Sequence, residues 1–249
     1  MRILAIDTSS GQGSVALMED ARVLAEESGD SGELSSSGLF RRVGKVLGIA
    51  GIKLSDVECF AVAAGPGSFT GLRVGLAAVK GWSEVWQRPI AAVSALKAVA
   101  AQATEPGACV VPLLDARRGQ LFCGLYRRVS AEGRAAAGGG SGTGADKAAD
   151  LEKMDEEVIG TPAEILDRVF SAASESPLFV TPSGEAVVEI VAALGDRSAR
   201  IETVCPALAP VIGRLGYRQA LRGDVVDALE LNANYIQRCA AELNWKEPA

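Results

Sequence analysis

Two stretches of this chain begin alike, 108 residues apart. Ile6-Asp7 lines up with Leu114-Asp115, Gly11-Gln12 with Gly119-Gln120, and Leu17 with Leu125. Each stretch is an apolar run closed by Asp, a short turn, and a second apolar run, which reads as strand, turn, strand. Residues 21–27 supply a third strand to the first unit. A chain that repeats this unit and follows it with helices is expected to form two similar α/β halves with a cleft between them.

The rest of the chain supports that division. From Ser36 the apolar period becomes helical: Leu39, Phe40, Val43, Val46, Leu47 and Ala50 share one face, with Arg41, Arg42 and Lys45 on the other and Gly51 as C-cap. A buried strand at 57–64 precedes a Gly/Pro loop and a helix from about Thr70 to Trp86. A short strand at 89–93 leads to a helix capped by Ser94 and running to about Ala103. Glu105-Pro106-Gly107 punctuates the chain, so an N-terminal lobe is expected over 1–104 and a smaller lobe over 105–249. Residues 109–114 and Gly119 to Tyr126 form the second hairpin. Over 131–150, 13 of 20 residues are Gly or Ala, too little apolar surface to offset ordering entropy, and a mobile loop between strands is expected. Helices follow at 162–172, 183–194 and 207–222, with a strand at 178–181 and Pro210 in the first turn of the last helix.

Composition narrows the chemistry. The chain has no histidine, which removes the commonest general base and metal ligand and the Ser-His and Cys-His pairs. Its net charge of −6 makes it a poor RNA binder by itself, because phosphate binding draws on Lys and Arg. The five cysteines have no C-x-x-C spacing, so neither a disulfide framework nor a zinc site is expected. No apolar run approaches the roughly 20 residues of a membrane span. A soluble, cytoplasmic protein without a membrane partner is expected.

The sharpest local pattern is Gly65-Pro66-Gly67-Ser68-Phe69-Thr70-Gly71-Leu72-Arg73-Val74-Gly75, between a buried strand and a helix. Helix N-termini attract anions, yet the stretch lacks the Gly-Lys-Ser/Thr ending of a phosphate loop and does not fit G-x-G-x-x-G. Ser68 or Thr70 can cap the helix. Gly71, Gly75 and Ala78 make a small-residue stripe beside Leu72, Leu76 and Val79. Each helical glycine costs roughly 1 kcal/mol relative to alanine, so something approaches that backbone closely. Another layer of this chain and a helix of a partner are equally open.

The duplicated strand–turn–strand plan resembles the actin, Hsp70 and sugar-kinase superfamily, a two-lobed α/β fold with a mixed sheet and flanking helices in each lobe. In that superfamily a turn from each half faces nucleotide phosphates. The resemblance makes Asp7, Thr8, Ser9 and Asp115 candidate nucleotide-binding residues, with Ser10 beside them; turn closure by the two aspartates is the other reading. The stretch at 65–75 is similar to the signature of TsaB proteins. So are Arg2-Ile3-Leu4-Ala5-Ile6-Asp7-Thr8-Ser9 at the start, Leu114 to Phe122 at the second repeat, and Asn234-Tyr235-Ile236-Gln237-Arg238 with Ala241 to Trp245 at the tail.

The TsaB resemblance implies a non-catalytic scaffold of the machinery that adds threonylcarbamoyl to an adenosine of tRNA. The implied partners are a TsaD-like catalytic subunit, a TsaE-like ATPase and a second copy of the chain, with tRNA met only through the complex. N-terminal-lobe helices are the implied dimerisation surface, which places Thr70, Gly71, Arg73, Val74, Gly75, Leu76 and Ala78 at the partner interface. No metal and no tightly bound cofactor are expected in the chain alone; ATP or ADP with Mg²⁺ belongs to the assembled complex. Two departures stand out. Many TsaB sequences carry a histidine where this chain has Glu33-Leu34-Ser35-Ser36, and the Gly/Ala-rich segment looks like an expansion. The rival readings are an active ATPase or small-molecule kinase of the same superfamily, a peptidase, and a stand-alone homodimer.

Overall fold

The computed structural model describes residues 1–29, 38–105, 109–129, 150–173 and 176–236. The Gly/Ala-rich expectation at 131–150, the Glu33–Ser36 departure and the tail from Gln237 fall largely or wholly outside them.

The first sheet holds β1 (Arg2–Asp7), β2 (Ser14–Glu19), β3 (Arg22–Ser28), β4 (Cys59–Gly65) and β5 (Ile90–Ser94) in the order β3-β2-β1-β4-β5. The second holds β6 (Cys109–Arg117), β7 (Gln120–Val129), β8 (Asp150–Gly160), β9 (Leu178–Thr181) and β10 (Arg200–Thr203) in the order β10-β9-β6-β7-β8. Reading the second list backwards reproduces the first, strand for strand. Within each, the first three strands pair antiparallel and the last two join parallel. The fold is the duplicated, two-lobed, actin-like architecture that the repeat pointed to.

Among the described residues six α-helices complete five layers: α1 (Leu39–Ala50), α2 (Phe69–Trp86), α3 (Ala95–Ala100), α4 (Pro162–Ala172), α5 (Gly184–Leu194) and α6 (Ala209–Arg222). Alternation along each strand decides what each face meets. Leu4, Ile6 and Leu17 point to α1 and α2 on the outside. Ile3, Ala5, Ala16 and Ala61 point to α3 and α6, which lie between the sheets against Val110, Leu114, Phe122 and Tyr126 of the second lobe. The outer face of the second sheet meets α4 and α5 through Leu113, Leu125, Ile165 and Ile190.

The central layer fits because the inner face of the first sheet is alanine-rich. A Cβ on Gly216 of α6 would lie 2.6 Å from the Cβ of Ala61 and 3.2 Å from that of Ala91. Small residues on both sides let the helix backbone sit on the sheet. Ser14 Oγ accepts the Ala209 N–H at 3.0 Å, and Val226 and Ile90 exchange backbone hydrogen bonds of 2.9 Å. The chain thus returns to its first sheet after completing its second.

Two expectations, for α3 and for Arg42, are corrected, and two charged strands join the fold. Helix α3 ends at Ala100 rather than near Ala103. Strands β8 and β10 carry no apolar run: β8 (DLEKMDEEVIG) and β10 (RIET) are edge strands, where charge is tolerated and protects the open edge. Arg42 is 1% exposed rather than on the polar face of α1. Gly29 and Gly38 leave room for its guanidinium, which a Cβ at either glycine would strike.

Candidate functional site

Asp7 ends β1 and is 1% exposed. Its Oδ1 accepts the Ser9 N–H at 2.8 Å and the Ser9 hydroxyl at 2.6 Å, while Oδ2 accepts the Ser10 hydroxyl at 2.6 Å. Ser10 Oγ in turn accepts the Gly13 N–H at 3.2 Å. These are the donors that a phosphate would need, and they face a carboxylate instead. At the matching point of the second sheet, Asp115 Oδ1 accepts the Arg117 N–H at 2.6 Å, so both aspartates close the same i to i+2 turn. Arg117, Arg118 and Gly119 all take positive φ there. Asp115 differs from Asp7 in being exposed.

The glycine motif is built around the first turn. Ser68 donates its N–H to Ser9 O at 2.8 Å and caps α2 by accepting the Gly71 N–H at 3.2 Å. A Cβ on Gly67 (φ +155°) would lie 2.5 Å from Ser9 O, and one on Gly65 (φ +118°) would lie 2.6 Å from Asn234 O. A Cβ on Gly75 would strike Thr8 Oγ1. Thr8, Ser9, Gly67 and Gly75 are therefore brought together, as packing.

The chain's later segment braces the same loop. Asn234 donates its N–H to Ala64 O at 2.7 Å, and Tyr235 packs on Phe69 with ring centroids 5.3 Å apart. The Arg73 guanidinium lies over the same Phe69 ring, 3.8 Å from its centroid. Glu157 on β8 ties the lobes to this segment: its carboxylate accepts from Ser94 Oγ, from Tyr126 OH at 2.6 Å and from Asn234 Nδ2 at 2.7 Å. Burial first, then the Glu157 charge, pushes the Tyr126 phenol well above its ordinary value. Sequence reasoning missed Glu157, which sits in an acidic edge strand and shows its role only once the lobes meet.

The outward side of α1 and α2 is the other candidate. Phe40 (62% exposed), Ile49 (60%) and Val85 (70%) are large apolar groups facing solvent. Trp82 lies between Phe40 and Phe60, at centroid distances of 6.1 and 5.7 Å, and sets the two helices side by side. Gly44 and Gly48 on α1 and Gly81 on α2 are exposed, and a Cβ on any of them would meet nothing within 4 Å. Among the expected interface residues, Thr70 and Arg73 are exposed and Val74 and Ala78 half-buried. Gly71, Gly75 and Leu76 are buried within the chain, so that part of the expected stripe is internal packing. The spacing Gly44-x-x-x-Gly48 was the available signal for the outward face.

Among the described residues, no three His, Cys, Asp or Glu side chains gather as a metal-ligand set. No described helix is long and apolar enough to cross a membrane.

With this geometry in hand, comparison with known proteins is direct. The family model for TsaD, tRNA N6-adenosine threonylcarbamoyltransferase, matches residues 34–196, more than half of the chain. The chain belongs to the TsaD family and is TsaB-like. The tRNA threonylcarbamoyladenosine biosynthesis protein TsaB of Bacillus subtilis is 36% identical over 127 residues, 51% of this chain and 56% of that protein. The Escherichia coli protein of the same name is 35% identical over 130 residues, again 51% and 56%. The alignments thus span little more than half the length of these curated relatives. The solved structure of YeaZ from Pseudomonas aeruginosa superposes with a TM-score of 0.71 at 26% identity, covering 94% of this chain and 99% of that one.

Proposed function

We propose that this TsaB-like chain acts in tRNA threonylcarbamoyladenosine biosynthesis as a non-catalytic subunit that pairs with, and activates, a TsaD-like catalytic subunit. The observation that carries the proposal is the outward α1–α2 face. Phe40, Ile49 and Val85 on these two helices are each exposed, and the Cβ positions of the helical glycines Gly44, Gly48 and Gly81 are open. Glycine inside a helix costs about 1 kcal/mol relative to alanine, and among the described residues no neighbour accounts for Gly44, Gly48 or Gly81. A partner helix lying close to those backbones does.

The absence of histidine and the occupied Asp7 turn support the non-catalytic part. Nucleotide with Mg²⁺ then belongs to the assembled complex, together with a TsaE-like ATPase, and tRNA is met through that complex in the cytoplasm. The catalytic partner would cover the same face that a second copy of this chain covers in its absence.

The test is co-purification of this chain with the TsaD-like protein of the same organism, followed by a tRNA threonylcarbamoylation assay with each protein alone and with both. Stable pairing, lost in Gly48→Trp, and modification that needs both proteins is the expected result. Failure to pair, or nucleotide turnover by this chain alone that is lost in Asp7→Asn, would replace the proposal with the ATPase or kinase reading.

A further inference from the structure

After α6 the chain returns to the first lobe as an irregular strap. The beginning of the strap is anchored on that lobe. Val226 and Ile90 exchange backbone hydrogen bonds of 2.9 Å, and Asp227 Oδ1 accepts the Leu229 and Glu230 N–H groups at 2.8 and 2.9 Å. Leu231 is 1% exposed, in the core that α1 and α2 cover.

The end of the strap, Asn234 and Tyr235, joins three separate places. The Asn234 N–H donates to Ala64 O, near the end of β4, at 2.7 Å. Its Nδ2 donates to Glu157, on β8 of the second lobe, at 2.7 Å. The Tyr235 ring packs on that of Phe69, with centroids 5.3 Å apart. Gly65 makes the close seat possible, because a Cβ there would lie 2.6 Å from Asn234 O.

Phe69 is the first residue of α2, where a helix frays when nothing holds it. Phe69 and Tyr235 remain 39% and 45% exposed, so their contact contributes orientation more than burial. One turn further along α2, the exposed Arg73 places its guanidinium 3.8 Å from the centroid of the Phe69 ring. A long cationic side chain loses rotamer freedom when a partner immobilises it. A ring already held by the strap restricts Arg73 before any partner arrives.

We propose that Asn234 and Tyr235 are positioning residues: through Phe69 they hold the Arg73 guanidinium in the orientation that the TsaD-like partner meets. This rests on the subunit role proposed above. Glu157 sets the end of the strap from the second lobe, so that lobe contributes to the affinity of a face built from α1 and α2.

The test has two readouts on the full chain. In the first, NMR follows the Arg73 side-chain resonances, which the Phe69 ring current shifts upfield; Phe69→Leu supplies the unshifted reference. Asn234→Ala and Tyr235→Ala are each expected to lose the shift, and Tyr235→Phe, which keeps the ring, to retain it. In the second, sedimentation measures association with the TsaD-like protein of the same organism. Asn234→Ala and Tyr235→Ala should each weaken it about threefold to tenfold, Tyr235→Phe should not, and neither loss should add to that of Arg73→Ala. The Val226 and Leu231 anchors stay in place in these variants, and Tyr235→Ala carries the test if Asn234→Ala unfolds. An Arg73 shift unchanged by Tyr235→Ala overturns the proposal, as does a lost shift with association unchanged. No pairing by the parent protein refutes the subunit role instead, and the NMR shift alone then decides whether the strap positions Arg73.

Discussion

Replacing Gly75 with alanine separates internal packing from a surface role for the glycine motif. Alanine favours a helix interior over glycine by about 1 kcal/mol, so propensity alone predicts a more stable protein. The structure predicts the reverse. The new methyl would strike Thr8 Oγ1, with Thr8 Cβ at 3.4 Å and Cγ2 at 3.5 Å. Thr8 is β-branched and 1% exposed, so rotating its hydroxyl away only brings other heavy atoms into the same space. Overpacking of this kind costs about 1–3 kcal/mol. Set against the propensity gain, Gly75→Ala should lose about 1 kcal/mol. In a Thr8→Ala background the remaining Cβ at 3.4 Å is in ordinary contact, and the same change should gain about 1 kcal/mol. Urea unfolding of the four proteins should give a coupling energy of about 2 kcal/mol. If Gly75→Ala stabilises the parent protein as much as the Thr8→Ala variant, helix α2 does not rest on the Asp7 turn.

Gly44→Ala and Gly48→Ala, whose Cβ positions are open, should each stabilise the isolated chain by about 0.5–1 kcal/mol while weakening association with the proposed TsaD-like partner; unfolding and sedimentation check the two effects. Glu157→Gln leaves a single oxygen among three donors and turns its NH2 on at least one of them, and should cost about 1–3 kcal/mol and open the segment around Asn234 to limited proteolysis. Burial pushes the Cys59 thiol up to about 11 and that of Cys123 to about 12, so peptide mapping after alkylation at neutral pH should find the exposed Cys205 labelled and both of these protected. The Cys59 shift also sets a pH dependence. Its folded value lies above the unfolded one, so its contribution is full below about pH 9, and about 3 kcal/mol of it is lost as pH rises through about 11. Cys59→Ala should therefore lose less stability than the parent between pH 8 and 11.

The duplicated plan was legible because a strand-end aspartate and a Gly-Gln turn mark each half, and both aspartates close the same turn. Charged edge strands carry no such mark: β8 and β10 are defined by backbone pairing, and their side chains do not alternate in polarity as a half-buried strand would. Glycine spacing was legible, but what each glycine meets was not. Gly71-x-x-x-Gly75 and Gly44-x-x-x-Gly48 read alike, yet one faces Thr8 and the other faces solvent. The same limit hid Glu157, whose three donors come from positions 63, 31 and 77 residues away.

The place of α6 bears on how the protein is made. The alanine-rich face of the first sheet is laid down by strands that end at Ser94, but the helix that covers it ends at Arg222. On the ribosome, the first lobe emerges with that face covered by α3 alone and lacks α6 until the whole second sheet has been synthesised. A chain truncated between the lobes therefore presents an open apolar surface, suited to chaperone capture or aggregation.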